Sequence, residues 1–291
     1  MTIVLPRRIF TIPVAHGHSL RVGDRCLVMG ILNVTPDSFA DAVSRLDPAE
    51  AVDAALRMEA EGADLIDIGG ESTRPGAEPV TADVELARIL PVLTAIRDRV
   101  RIPISIDTYK ADVAQAALDA GAVIVNDVGG HGVEAELACV VAQAGAALVL
   151  MHTRGTPKTM SAEAVYEDVL AEVTAELRQR MQCALDAGVT IDRLIVDPGI
   201  GFAKQPSHSY GVLAGLSEIA SALDRPVLVG PSRKSFLRDA VGGGPAPERD
   251  WGTAAAVAAA VLGGAHIVRV HAVAEMAQVV RVAEQIRSHW P

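Results

Sequence analysis

The stretch PISIDTYKADVAQAALDAGAVIVNDV, residues 103–128, decides the fold. It opens on a short apolar run, Pro103–Thr108, that ends in Asp107 and Thr108. An amphipathic stretch follows, Ala111–Ala120, with Val113, Ala114, Ala117 and Leu118 at helical spacing. Gly121 comes next, a residue suited to the left-handed turn that ends a helix, and then a second apolar run, Ile124–Val128. Both runs are nearly continuous in Val and Ile instead of alternating with polar residues. That is the pattern of strands covered on both faces, as in a parallel sheet. The stretch therefore reads as one β–α–β unit with a right-handed crossover.

The same unit recurs on either side. Further strand candidates are Cys26–Val34, Leu65–Gly70, Ala147–His152, Leu194–Gly199, Pro226–Ser232 and Ile267–Ala272. Amphipathic stretches such as Ala49–Glu61, Val84–Val100 and Glu163–Ala187 lie between them. Glycine repeats the same phrase before several strands: Glu-Gly-Ala at 61–63, Ala-Gly-Ala at 120–122 and 144–146, Ala-Gly-Val at 187–189 and Gly-Gly-Ala at 263–265. Eight evenly spaced units with no break in composition predict a single α/β domain over residues 26–291. Even spacing favours closure into a (β/α)8 TIM barrel over an open doubly wound sheet. Residues 1–25 stand apart as an N-terminal extension, read as a small hairpin closing the bottom of the barrel. The Gly/Pro stretch Val241–Pro247 reads as an insertion after the seventh strand.

Half of the 291 residues are hydrophobic but only 3% are aromatic, so the core has to be built from Ala, Val, Ile and Leu. A formal net charge of −10 argues against nucleic-acid binding through general phosphate attraction. It leaves room for a small anion held by a few convergent cations. Cys26, Cys139 and Cys183 have neither the number nor the spacing of a disulfide framework or a metal site, which fits a reducing compartment. The first residues show no apolar run followed by a cleavage site, and the run Thr253–Val268 is short, Ala-rich and broken by Gly263-Gly264. A cytoplasmic protein with no membrane or nucleic-acid partner is expected.

Polar residues collect at one end of the predicted barrel. Asn33, Glu71, Asp107, Asn126, Asp127, His152, Asp197, Ser232, Lys234, Arg269 and His271 fall at or just after the C-terminal ends of strands. On this fold, that rim is where catalytic groups from different strands converge. One acid there is usually an N-cap for the next helix; so many on one rim are not explained by caps alone. The loops Asn33–Phe39 and Gly69–Gly76 mix Gly or Pro with hydroxyls and charge, a composition suited to lids that offer N–H groups to an anion. The segment Asp197–Lys204 carries glycines that let backbone approach a flat ligand. Arg269 and His271, two positions apart on a strand, point to the same side.

The motifs NVTPDSF, GGESTRPGA, SIDT, NDV, MH with RGTPKTM, DPGIGFAK, SRKSFL and RVH occur in this order. In them the chain resembles the dihydropteroate synthases, from about Val28 to Val273. Any one tripeptide is weak; the whole series at barrel spacing is specific. The resemblance implies condensation of 6-hydroxymethyl-7,8-dihydropterin diphosphate with p-aminobenzoate to 7,8-dihydropteroate and diphosphate, in folate biosynthesis, with sulfonamides competing. It implies that Asp107, Asn126, Asp197, Lys234, Met151 and Phe202 bind the pterin, Asp197 accepting a fork of two ring N–H donors. Asn33, Thr73, Arg74, Arg269 and His271 would bind the diphosphate. Asn33 would also hold Mg2+, an ion that keeps most of its shell as water and phosphate oxygens. Phe39, Thr73, Pro75, Lys234 and Ser235 would form the p-aminobenzoate pocket. A homodimer through the barrel helices is implied as well.

The implied mechanism is ionisation at the pterin methylene, needing no covalent nucleophile. Its catalytic residues would be Lys234, Arg74 and the loop acids Asp37 and Asp41: cations hold the departing anion, and a carboxylate faces the pterin cation. Three departures from the family pattern stand out. Asp-Ser-Phe is followed by Ala40-Asp41-Ala42-Val43 and not by Ser-Asp-Gly-Gly. RVHDV becomes RVHAV with Ala272, and Ser-Gly-Gly becomes Gly129-Gly130-His131. The altered first loop leaves a catalytically silent pterin-binding paralogue as one alternative. A methyltetrahydrofolate-binding methyltransferase is another, although it would not need Arg74 or the Arg269/His271 pair. A Schiff-base aldolase using Lys234 rests on fold alone.

Overall fold

The structure is a computed structural model and describes residues 7–35, 47–74, 76–129 and 135–289. Two antiparallel strands, β1 (Phe10–Pro13) and β2 (Ser19–Val22), come first. Eight parallel strands follow: β3 (Leu27–Asn33), β4 (Leu65–Gly69), β5 (Ile104–Asp107), β6 (Ile124–Asp127), β7 (Ala147–Met151), β8 (Leu194–Asp197), β9 (Leu228–Val229) and β10 (Ile267–Val270). Between and after them run α1 (Pro48–Glu61), α2 (Ala82–Ile96), α3 (Ala111–Asp119), α4 (Ala135–Ala144), α5 (Val169–Asp186), α6 (Pro206–Ala214), α7 (Leu216–Leu223), α8 (Asp250–Leu262) and α9 (Val273–Ser288).

The ladder runs β8-β7-β6-β5-β4-β3-β10-β9. A parallel bridge between Val196 and Val227, with the Val196 N–H donating to Pro226 O at 2.9 Å, joins its two ends. That contact closes a (β/α)8 barrel and excludes the open sheet. The strands are buried along their length, and Leu32, Leu65, Ile66, Ile68, Ile106 and Ile124 are fully buried, as continuous apolar runs require.

The glycines read as helix stops turn out as such. Gly62, Gly121, Gly145, Gly188 and Gly264 all have positive φ, between 62° and 115°. Two boundaries differ from expectation. Only Leu228 and Val229 of the seventh run join the ladder, because Pro226 has no N–H to give and Gly230-Pro231 leads out of the sheet. The helix expected from Glu163 begins at Val169. There the Asp168 side chain accepts from Leu170 and Ala171 N–H at 3.1 and 3.0 Å, while Glu172 Oε1 takes the N–H groups of Glu167 and Asp168. In the insertion, Gly242, Gly243 and Gly244 all have positive φ, and a short 3-10 turn leads into α8.

The β1–β2 hairpin lies at the N-terminal ends of the barrel strands. Ala15 N–H meets Val123 O just before β6, and Phe10 packs edge-on against His266, just before β10. Cys26 is buried at this end, its thiol pushed up to about 12 by burial, so it packs as a small apolar residue. No described helix is long and apolar enough to cross a membrane; the Ala-rich run ends α8, turns at Gly263-Gly264 and enters β10.

Candidate active site

Side chains alternate across a strand, so at the C-terminal rim one of two neighbours points into the barrel and the other toward the helices. Asn126 and Met151 point in and line a cavity of about 450 Å3, whereas Asp127 and His152 do not. Asp127 instead accepts the Gly129 N–H at 2.8 Å, and His152 turns toward Lys204 and Glu176. Of the rim residues singled out in the sequence, these two serve the scaffold.

The floor of the cavity is an ionic cluster. Arg269 Nε donates to Asp67 Oδ2 at 2.6 Å, and its Nη2 to Asp107 Oδ2 at 2.7 Å. Asn126 Nδ2 donates to the same Asp67 oxygen at 2.9 Å. Burial works against the Arg269 charge, but Asp67 and Asp107 together hold the guanidinium above its ordinary value. Burial raises the proton affinity of Asp107, with Arg269 opposing and Asp67 adding to the shift. Asn126 Oδ1 is buried without a partner among the described residues, an acceptor held in reserve beside the cavity. The resemblance assigned Arg269 to a diphosphate; here two of its nitrogens are committed to the acids of the floor.

Asp197 and Lys234 form one wall. Asp197 ends β8, and Oδ1 accepts the Gly199 N–H at 2.7 Å. No other described residue donates to this carboxylate. Burial raises its proton affinity, and the charges of Lys234, Lys204 and Arg269 oppose that rise. Lys234 Nζ donates to Ile200 O and lies 4.3 Å from the centroid of the Phe202 ring. Burial pushes its ammonium down to about 8, with Asp197 opposing. The stem of Lys234 rests on bare backbone at Gly201, where a Cβ would come within 2.8 Å of it. Lys234 is aimed by Arg233, which has φ 58° and is pinned on three sides. Its guanidinium meets Asp250 twice at 2.8 Å, its N–H meets Thr253 Oγ1 at 3.0 Å, and its carbonyl accepts from Arg249 at 3.1 Å.

The remaining lining comes from the loops. Thr73 and the exposed Arg74 stand at the mouth, Ser235 opens a 3-10 turn beside Lys234, and Asn33 ends β3. Gly69 lies between Asn33 and Asp107: a Cβ built there would sit in ordinary contact, 3.7 Å from Asn33 Oδ1 and 3.6 Å from Asp107 Oδ2. His271 is fixed by Ser232, whose hydroxyl lies 2.9 Å from Nδ1 and accepts the His271 N–H at 3.2 Å. Its orientation therefore has an anchor without an acid at Ala272. The loop after β7, whose role the sequence left open, brings the buried Met160 to the cavity and joins the loop after β4 through Gly76 N–H to Pro157 O at 3.0 Å. Asp37, Phe39, Asp41 and Pro75 lie outside the described residues, as do Ala40, Ala42, Val43, Gly130 and His131.

Sequence reasoning missed Asp67, Arg233 and Arg249. Asp67 had a readable signal: an acid in the middle of the apolar run Leu65–Gly69 is costly unless it is paired. Arg249 had none, because only the fold brings it back over the loop after β9. The Mg2+ expected at Asn33 meets a single neutral oxygen, with the nearby Asp107 engaged by Arg269. No cluster of three or more His, Cys, Asp or Glu suited to a metal occurs among the described residues. The donor set fits an ion that arrives with substrate phosphate and not one caged by protein.

Comparison with known proteins shows the family to which the chain belongs. The profile of the family described as pterin binding enzyme matches residues 29–271. The dihydropteroate synthase of a Synechocystis strain is 46% identical, the alignment covering 91% of this chain and 91% of that one. A crystal structure of the Yersinia pestis dihydropteroate synthase with a sulfonamide drug complex superposes with TM-score 0.89 at 39% identity, covering 94% of this chain and 98% of that one. The Burkholderia cenocepacia dihydropteroate synthase complexed with 7,8-dihydropteroate gives TM-score 0.84 at 41% identity, covering 97% of this chain and 98% of that one.

Proposed function

From the premise that the chain belongs to the dihydropteroate synthase family of pterin-binding enzymes, we infer how its own residues carry the reaction of that family. The activity is transfer of a pterinylmethyl group: 6-hydroxymethyl-7,8-dihydropterin diphosphate and p-aminobenzoate give 7,8-dihydropteroate and diphosphate. Sulfonamides compete with p-aminobenzoate.

One observation supports the assignment of roles above the others: an open carboxylate, Asp197, shares a cavity with a half-buried cation, Lys234, and a spare amide oxygen on Asn126. A dihydropterin edge carries a pair of N–H donors for Asp197 and a carbonyl acceptor for Lys234. Asn126 and Asp107 take the remaining ring edge, with Met151 and Phe202 packing on the ring. The methylene C–O bond then breaks, and diphosphate leaves with the electron pair toward Arg74, Thr73, Asn33 and His271. Arg269, tied to Asp67 and Asp107, offers the leaving group only its free Nη1 and mainly holds the floor. The dihydropterin delocalises the resulting cation, and the first-loop acids Asp37 and Asp41 would face it. The arylamine nitrogen of p-aminobenzoate, seated against Phe39, Thr73, Pro75, Lys234 and Ser235, forms the new C–N bond and loses one proton. Mg2+, with Asn33 as its protein ligand, would neutralise charge on the leaving diphosphate. A homodimer through the barrel helices and a cytoplasmic location complete the proposal; α8 exposes Trp251, Ala255 and Ala259 along one stripe.

The test is turnover of the purified protein with both substrates and Mg2+, alongside Asp197→Asn, Lys234→Ala and Arg74→Ala. Equal yields of dihydropteroate and diphosphate, lost in the first two variants and reduced in the third, are expected. Wild-type pterin binding without product would favour the silent paralogue.

A further inference from the structure

Behind the wall formed by Asp197 and Lys234 lies a buried polar chain that the reaction as described does not use. Lys204 Nζ lies 2.8 Å from His152 Nδ1 and donates to Phe202 O at 3.2 Å. His152 Nε2 lies 2.9 Å from Glu176 Oε2, and Glu176 also holds Arg154 Nε at 3.1 Å. Lys204 and His152 are both buried. With Nδ1 accepting from an ammonium and Nε2 facing a carboxylate, His152 is the neutral Nε2–H tautomer. Burial agrees, pushing its value down to about 4.

This chain grips a loop whose backbone is held in unusual conformations. Gly199, Gly201 and Ala203 have φ of 66°, 80° and 44°, the last unfavourable for a residue with a Cβ. Side chains take three carbonyls of the loop: Lys234 that of Ile200, Lys204 that of Phe202, and Tyr166 that of Ala203 at 3.0 Å. The same loop presents the Phe202 ring to Lys234 and ends β8 at Asp197.

We propose that Lys204, oriented by His152 and Glu176, is a positioning residue for pterin capture: it braces the Phe202 loop and sets a second positive charge behind the Asp197 carboxylate. The inference rests on the reading of Asp197 as the pterin acceptor. Groups facing Lys204 come from each neighbouring element: His152 and Arg154 after β7, Tyr166 before α5, Glu176 on α5, Asp197 on β8 and Lys234 after β9. Burial pushes the Lys204 ammonium down to about 7, and Asp197 opposes that fall. Pterin affinity should therefore weaken as pH rises through this range and Lys204 gives up its charge.

The experiment is calorimetric titration of the full chain with 6-hydroxymethyl-7,8-dihydropterin from about pH 6 to about pH 9, with steady-state KM for both substrates. Lys204→Met should weaken pterin binding roughly tenfold, as for loss of one unit of charge coupling, and leave the KM for p-aminobenzoate nearly unchanged. It should also lack the neutral limb of the wild-type pH profile, while the limb belonging to Lys234 stays. His152→Leu should copy it, and His152→Asn, which keeps an acceptor near the place of Nδ1, should recover most of the affinity. Wild-type affinity and an unchanged pH profile in Lys204→Met would overturn the proposal, even with lowered thermal stability. Wild-type pterin binding by Asp197→Asn, measured in the same series, would instead overturn the reading of the site beneath it.

Discussion

Replacing Asp67 by Ala tests the floor of the cavity most directly. One fully buried oxygen, Oδ2, accepts from Arg269 at 2.6 Å and from Asn126 at 2.9 Å. Without it the guanidinium keeps only Asp107, and the Asn126 amide loses its donor contact. Breaking a buried ion pair from one side typically destabilises by about 3–5 kcal/mol. The surviving Asp107 contact at 2.7 Å argues for the lower end, about 3 kcal/mol. The lost amide hydrogen bond adds about 1 kcal/mol. At roughly 2 °C per kcal/mol for a large domain, the melting midpoint should fall by roughly 8 °C. Asp67→Asn, which keeps an acceptor but not the charge, should lose about half as much. Scanning calorimetry reads the first effect, and steady-state KM for the pterin substrate reads the second, which should rise because Asn126 is free to rotate. A midpoint within about 2 °C of wild type together with an unchanged pterin KM would refute the reasoning, since a carboxylate holding two side chains cannot be removed without trace.

Three further outcomes are expected. In Gly199→Ala a Cβ would lie 1.8 Å from His152 O at a φ of 66°, so the Phe202 loop has to move; pterin affinity should drop at least about tenfold, a ligand titration being the check. His152 and His266 are buried with values near 4, against 6.5 ordinarily. Their folded values lie below their unfolded ones, so the unfolded chain binds more protons between the two. Their contribution is complete above about pH 6.5 and is lost as pH falls toward 4, by up to roughly 3 kcal/mol each, and urea midpoints across this window should fall accordingly. Asp250→Ala frees the Arg233 guanidinium from both contacts at 2.8 Å; kcat/KM should fall by about tenfold or more through misplacement of Lys234, and an unchanged value would show that Thr253 and Arg249 suffice.

The barrel was legible because its signals are local. A strand buried on both faces has to be a continuous apolar run, and a helix turning back into a strand wants glycine; both are visible within ten residues. The lining of the cavity was legible where a polar residue falls at or near the end of a strand, as at Asp107, Asn126, Asp197 and Arg269. It was not legible where alternation decides, as at Asp127 and His152, which share the rim in sequence but face away from the cavity. Partner choice was the least readable property. Arg269 was read as a diphosphate ligand from its strand; that Asp67 and Asp107 hold two of its nitrogens could not be read, because they are distant in sequence and meet it only across the folded barrel. The motif Arg154–Met160 was recognised without a role, since its packing partners, Tyr166, Glu172 and Glu176, lie beyond the loop itself.

The ladder closes between β8 and β9 through one bridge, Val196 to Val227, beside a strand of only two residues. Every other neighbouring pair shares a longer register, so this seam is where the cylinder is least stitched. Asp197 stands on one lip of the seam and Lys234 follows the other. A flat ligand held by both would lie across the gap like a clasp. Amide protons on the two lips should then exchange fastest in the empty protein and slow most on ligation, so that occupancy of the site is felt as mechanical closure of the barrel itself.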